Sequence, residues 1–169
     1  MLRAHEVRDF EPSAAMWADP AVVRYISGVP STPEASWSRL LRYVGHWRLL
    51  GYGYWAVTLK TDGLFIGEVG FADYKRDLTP SQTGLPEAGW VLSPTHQAQG
   101  LAGEAVARVL AWADVNLDAP STFCILDPAH TASLKIARKN GYGRDTQASY
   151  QGNPVLLLSR ERPRRPGKI

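Results

Sequence analysis

The sequence predicts a three-layer α/β domain, a mixed sheet with helices on both of its faces. Three observations predict it. The early strand-like segments are joined by a hairpin signal, and the later ones are separated by amphipathic stretches of helical length. The chain has 169 residues, 44% hydrophobic and 21% charged, which suits one globular domain able to bury a core without disulfides or metals.

Residues 2–7 read as a short strand, and residues 11–17 and 20–25 as short helical pieces. Thr32-Pro33-Glu34 is a helix start, with a hydroxyl cap, a proline at the first helical position and an acid facing the helix dipole. Leu40, Leu41, Val44 and Trp47 recur on one face of that helix, and Gly51 ends it. Strands at 54–60 and 64–74 flank Asp62-Gly63, a tight hairpin signal. In the second strand Phe65, Val69 and Phe71 are expected on one side, and Ile66, Glu68, Gly70 and Ala72 on the other. Residues 77–86 read as a polar loop.

A strand at 87–93 leads into a long helix with an apolar stripe of Ala102, Val106, Val109, Leu110 and Ala113. An apolar strand at 122–126 is followed by a helix at 131–140, closed by Gly141. Strands at 142–146 and 155–159 complete the sheet. The domain is expected over residues 1–160, with a basic tail at 161–169.

Composition narrows the function classes. The lone Cys124 excludes an internal disulfide. No charged-then-apolar leader opens the chain and no apolar run approaches the roughly 20 residues that span a bilayer, so a cytoplasmic protein with no membrane partner is expected. The net charge is +3, and residues 160–168 alone hold five basic residues against one acid. That tail reads as a solvated end. No helix-turn-helix, zinc-ligand or RNA-binding signature supports a nucleic-acid partner. A homodimer is left open. No His, Cys or carboxylate cluster has metal-ligand spacing.

The most informative stretch runs from Glu87 to Glu104. It reads as a strand, a turn carrying Gly100 and Gly103, and a helix whose first turn lacks bulky side chains. Backbone N–H groups at such a start have no partner within the helix, and the dipole adds partial positive charge. Small residues let an anion approach that backbone, so the turn suits a phosphate or diphosphate. An ordinary strand–turn–helix connection with glycines for packing is the alternative. A P-loop is excluded because Gly103 is followed by Glu104 and Ala105, and the dinucleotide fingerprint because its glycine spacing is absent.

What remains is Gln97-x-x-Gly100-x-Ala102 behind Trp90-Val91-Leu92-Ser93-Pro94, which resembles the acyl-CoA signature of the GNAT acetyltransferase superfamily. His130-Thr-Ala-Ser133 followed by Arg138-Lys-Asn-Gly141-Tyr142 is similar to a second segment of that family. Gly45-His-Trp47, Gly51-Tyr-Gly-Tyr-Trp55 and Phe65-Ile-Gly67-Glu-Val-Gly70-Phe resemble the branch of ribosomal-protein N-terminal acetyltransferases. The resemblance implies a mostly antiparallel mixed sheet, splayed where the cofactor binds. It implies acetyl-CoA as acyl donor, its pantetheine arm against Trp90, Val91 and Leu92. Its diphosphate would lie against Ala98, Gln99, Gly100, Leu101, Ala102 and Gly103 after Gln97, with His130 near the arm.

The implied activity is acetyl transfer to a primary amine, a peptide N-terminus or a small molecule, by direct attack. Ser133 matches a serine that assists the departing thiolate. Glu87 and Glu68 are the candidate bases, Glu87 at the entry of the central strand and Glu68 among small and apolar neighbours. His130 replaces the family's asparagine, Ala137 its thiolate-protonating tyrosine, and Ile125 a glutamate base of some N-terminal acetyltransferases. A non-catalytic acyl-CoA-binding module is therefore the alternative. His46, Trp47, Tyr52, Tyr54 and Trp55 are candidate walls for an acceptor pocket, and Cys124 reads as a small core hydrophobe.

Overall fold

The computed structural model describes residues 1–163. Its strands are β1 (Leu2–Arg3), β2 (Tyr54–Thr58), β3 (Phe65–Ala72), β4 (Leu78–Thr79), β5 (Glu87–Leu92), β6 (Ser121–Leu126), β7 (Gly143–Tyr150) and β8 (Asn153–Glu161). They form one sheet in the order β1-β2-β3-β5-β6-β8-β7-β4. Every neighbouring pair is antiparallel except β5 and β6.

The helices are α1 (Phe10–Ala18), α2 (Pro20–Val23), α3 (Pro33–Leu50), α4 (Leu101–Asn116) and α5 (Thr131–Lys139). One face of the sheet gives Val69, Phe71, Ala88 and Leu92 to a core with Val106, Val109 and Leu110 of α4 and Leu134 of α5. On the other face, Val91 packs with Met16, Trp17, Val22 and Val23 of α1 and α2, and Tyr54 with Tyr43 of α3. This is the expected three-layer α/β arrangement.

The elements form for local reasons. Thr32 Oγ1 accepts from the Ala35 N–H (3.2 Å), Pro33 opens α3, and Gly51 closes it at φ 72°. The Asp62-Gly63 turn joins β2 to β3, with Gly63 at φ 75°. Arg160 of β8 forms a two-pronged pair with Asp114 of α4 (2.6 and 2.7 Å), fixing the last strand against the long helix.

Four expectations are corrected. The strand at 2–7 covers only Leu2–Arg3, after which the chain turns into a single 3₁₀ turn at Val7–Asp9. Phe65 and Ile66 exchange faces. Thr58 pairs with Phe65 where unbroken alternation would give Ile66, so a bulge resets the pleat, and Phe65 joins Val91 while Ile66 joins Phe71. On α3 the buried side is Ser36, Leu40 and Tyr43, whereas Leu41 and Val44 are exposed. Residues 77–86 contain β4, whose Leu78 is buried and which pairs with a β7–β8 hairpin longer than the sequence suggests.

β8 continues through Glu161, and Arg162 donates its N–H to the Pro120 carbonyl (2.9 Å). The start of the expected tail is thus part of the domain, and residues 164–169 lie outside the described residues.

Candidate active site

β5 and β6 form the sheet's single parallel pair, and they meet at one register point, Glu87 opposite Phe123. Beyond it no pairing joins them among the described residues, so they diverge toward their carboxyl ends. The Phe123 N–H bonds the Pro86 carbonyl (3.2 Å), so even-numbered residues of β5 present their backbone groups toward β6. Those of Trp90 and Leu92 face the gap. Both strands feed helices at the same end, β5 into α4 and β6 into α5. The two positive helix ends therefore flank the mouth of one crevice, the place where open α/β sheets hold ligands.

The turn between β5 and α4 is built for access to its backbone. Ala98 (φ 59°) and Gly100 (φ 80°) adopt left-handed conformations that wind it back into α4. Gly100 is the N-cap, and no side chain caps the first amides of the helix. A Cβ at Gly103 would meet nothing within 4 Å, so internal packing does not demand the glycine. Gln97 to Gly100 are exposed, and Leu101 to Gly103 half-buried. Gln97 does not turn outward: its Nε2 donates to the Leu92 carbonyl (2.9 Å), pinning the turn to the end of β5. His96 Nδ1 lies 3.0 Å from Ser93 Oγ and 2.9 Å from Thr95 Oγ1, bracing the same bend.

On the α5 side, His130 precedes the helix and Ser133 sits in its first turn, with Ser133 Oγ 3.4 Å from His130 Nε2. Burial lowers the His130 pKa, against a raising influence of Asp127, and so favours the neutral ring. Tyr25 stacks on that ring (4.7 Å between centroids, 17° between planes). Ser133 is buried.

At the closed end of the gap, the Glu87 carboxylate pairs with Arg76 Nε (2.7 Å). Arg76 lies over the rings of Tyr74 and Tyr150, each 4.6 Å away. Burial raises the Glu87 pKa above the ordinary carboxylate value, and Arg76 opposes the rise without cancelling it. Tyr54 crosses from β2 so that its hydroxyl occupies the space a Cβ at Gly89 would need. Its ring packs beside Tyr74 in the cluster it shares with Tyr43.

The pattern of the family described as Acetyltransferase (GNAT) domain matches residues 1–143. The chain belongs to that family. A Bacillus licheniformis protein, named as the uncharacterized N-acetyltransferase p20, is 23% identical over 145 residues, 85% of this chain and 79% of its own. A protein from Bordetella pertussis assigned to the GNAT acetyltransferases is 26% identical, with a TM-score of 0.81 over 94% of this chain and 93% of that one. An acetyltransferase structure from Salmonella typhimurium, solved with its cofactor acetyl-CoA, shares the fold at 15% identity, with a TM-score of 0.73 over 100% of this chain and 97% of that one.

Within this GNAT domain the sequence-derived positions fall into separate groups. Trp90 and Leu92 turn their backbone to the gap, and Gln97 to Gly103 form the turn at its mouth. Val91, expected beside them, turns its backbone to β3 and its side chain to α1 and α2. His130 and Ser133 stand at the neighbouring helix start. The Trp90 side chain packs against the α4-side core, with its Nε1 buried and without an acceptor among the described residues. Uncapped helix amides and room over Gly103 suit an approaching diphosphate.

Glu68 lies apart from that group. It is fully buried and accepts hydrogen bonds from Ser13 Oγ (2.6 Å), Trp17 Nε1 (2.9 Å) and Tyr43 Oη (3.1 Å), so it ties α1 and α3 to the sheet instead of reaching a cleft. Trp47 and Trp55 are likewise diverted, meeting Trp112 of α4 edge to face. His46 lies beside the Tyr74 ring (5.9 Å) and Tyr52 is half-buried. Ala137 is fully buried, and Ile125 packs with Phe123 and Leu157. The Cys124 thiol is pushed well above its ordinary pKa by burial, as suits a core residue.

Two participants escaped sequence reasoning, Arg76 on Glu87 and Tyr25 on His130, while Tyr54, expected at an acceptor pocket, sets its hydroxyl over Gly89. The Tyr25 and Tyr54 contacts join positions far apart in sequence, and no local pattern announces them. Arg76, by contrast, is only 11 residues from Glu87, but it follows Lys75 just ahead of the polar loop, where a charged pair reads as solvated.

Since Gln97 works through the turn, its replacement tests positioning. Gln97→Ala loses one hydrogen bond, about 0.5–1.5 kcal/mol, and should weaken acetyl-CoA binding roughly three- to tenfold with the melting temperature little changed. Calorimetric titration beside thermal melting checks both halves.

Proposed function

We propose that this GNAT protein binds acetyl-CoA in the β5–β6 gap and transfers its acetyl group to a primary amine by direct attack. One observation carries the reading: the single parallel strand pair splays, and two helix N-termini flank its open end. When bound, acetyl-CoA supplies an activated acetyl thioester. The uncapped amides of Leu101, Ala102 and Gly103 hold the diphosphate, and the free backbone of Trp90 pairs with the amide arm.

Glu87 takes the proton the attacking amine gives up. Its raised pKa brings the carboxyl nearer the working pH, where a base is most effective. Ser133 donates a hydrogen bond that stabilises the departing thiolate, His130 orients that hydroxyl, and the proton taken up by Glu87 passes on as the coenzyme leaves as its free thiol. The segments from Gly45 to Phe71 that resemble the ribosomal-protein N-terminal branch favour a peptide N-terminus over a small-molecule amine as acceptor. The buried Ala137 and half-buried Ile125 stand where some N-terminal enzymes carry an acid–base pair, so the acceptor site is built differently here.

Free-thiol release from acetyl-CoA, measured over peptides of varied first residue, polyamines and amino acids, tests the reading. Release with one acceptor class supports it. Binding without release for any amine leaves a non-catalytic acyl-CoA-binding module, and no binding at all overturns both. Glu87→Gln should lower kcat by about 10²–10⁴ and flatten the acidic limb of the kcat/KM profile. The sign follows from the base: its carboxylate form is lost as pH falls through the raised pKa, so the parent enzyme slows on the acid side. An unchanged acid limb in the variant would remove Glu87 from the mechanism.

A further inference from the structure

The outward side of α3 carries residues with no use inside the domain. Trp37, Leu41 and Val44 are 37%, 51% and 50% exposed, although they fall on one stripe of the helix. Single exposed hydrophobes need no explanation, but three aligned ones do. Glu34, Trp37, Leu41, Val44 and Arg48 are spaced three, four, three and four apart, the repeat of a seam between two helices. Trp37 is held in place by Phe10, whose ring meets it edge to face at 5.2 Å.

The ends of the stripe are oppositely charged. Glu34 and Arg48 are both exposed, neither joins an ion pair among the described residues, and each lies seven positions from Leu41. At 1.5 Å per residue they stand about 10 Å to either side of it. Turning a second α3 end for end about Leu41 brings each Glu34 to the other copy's Arg48. Trp37 then falls opposite Val44 and Gly45 of the other copy. Gly45 offers open space, because a Cβ there would meet nothing within 4 Å. The pattern is complementary to itself under a two-fold axis, as an isologous contact requires.

We propose that α3 is a homodimer interface, two copies packing antiparallel along Trp37, Leu41 and Val44 with Glu34 and Arg48 closing both ends. A parallel arrangement would set like charges together and lose the match.

Sedimentation equilibrium on the full chain tests this. The parent protein should sediment at twice its 18.6 kDa chain mass. Leu41→Glu should be monomeric at the same concentration with an unchanged circular dichroism spectrum. Glu34→Arg should weaken the dimer by several-fold, and Glu34→Arg with Arg48→Glu should recover it. A parent chain that is monomeric at every concentration overturns the proposal. So does a dimer indifferent to Leu41→Glu, or a double variant no tighter than Glu34→Arg alone. Because the charge variants lie on an exposed face, they keep the test decisive even if Leu41→Glu fails to fold.

Discussion

Replacing Gly103 with glutamate is expected to raise the dissociation constant for acetyl-CoA by about a hundredfold or more, which is about 2.7 kcal/mol. The same change should leave the melting temperature at or above that of the parent chain. The two halves follow from one position. Gly103 is in the first turn of α4, where a Cβ would meet nothing within 4 Å, so the fold gains no clash. A glycine within a helix costs up to about 1 kcal/mol relative to better helix formers, and an acid in the first turn is favoured by the dipole. The domain should therefore tolerate the substitution or gain from it.

A diphosphate at those amides would meet a carboxylate in the space it needs, with like charge at short range. Calorimetric titration gives the affinity and differential scanning the melting temperature. Unchanged affinity would place the diphosphate elsewhere, and a lower melting temperature would mean that the glycine serves packing after all.

The same position explains why this part of the site was legible. Anion binding at a helix start uses backbone groups, so its signature is small residues at fixed spacing, and Gly100, Ala102 and Gly103 display it directly. The strand–helix order was legible for a similar reason, since Thr32-Pro33, Asp62-Gly63 and Gly141 act on their own neighbours. Side-chain chemistry was not. Glu87 pairs with Arg76 across a loop, and His130 is stacked by Tyr25 across the domain. The exchange of Phe65 and Ile66 shows the same limit on a smaller scale: one bulge, set by pairing with β2, inverts a face that alternation alone assigns. On α3 the apolar residues occupy two stripes, and periodicity does not say which one the sheet covers.

Glu68 separates a structural carboxylate from a catalytic one. Glu68→Ala removes the acceptor of three buried donors, Ser13 Oγ, Trp17 Nε1 and Tyr43 Oη. A buried donor left without a partner costs about 1–3 kcal/mol, and two of the three are hydroxyls that can reorient, so the expected destabilisation is about 3–5 kcal/mol. That is a large share of the stability of an ordinary domain and should lower the melting temperature sharply. Glu68→Gln keeps the shape and one acceptor oxygen, and its amide can donate to a rotated hydroxyl of Ser13 or Tyr43. It should lose only about 1–2 kcal/mol. If Glu68 were the base, Glu68→Gln would lose about 10²-fold or more in kcat while still folded. With the carboxylate fully buried beneath α1 and α3, turnover by the folded Gln variant is expected within a fewfold of the parent. Chemical denaturation measures the first effect and thiol release by the purified, folded variant the second. A stable Ala variant, or a folded Gln variant without turnover, would return Glu68 to the reaction.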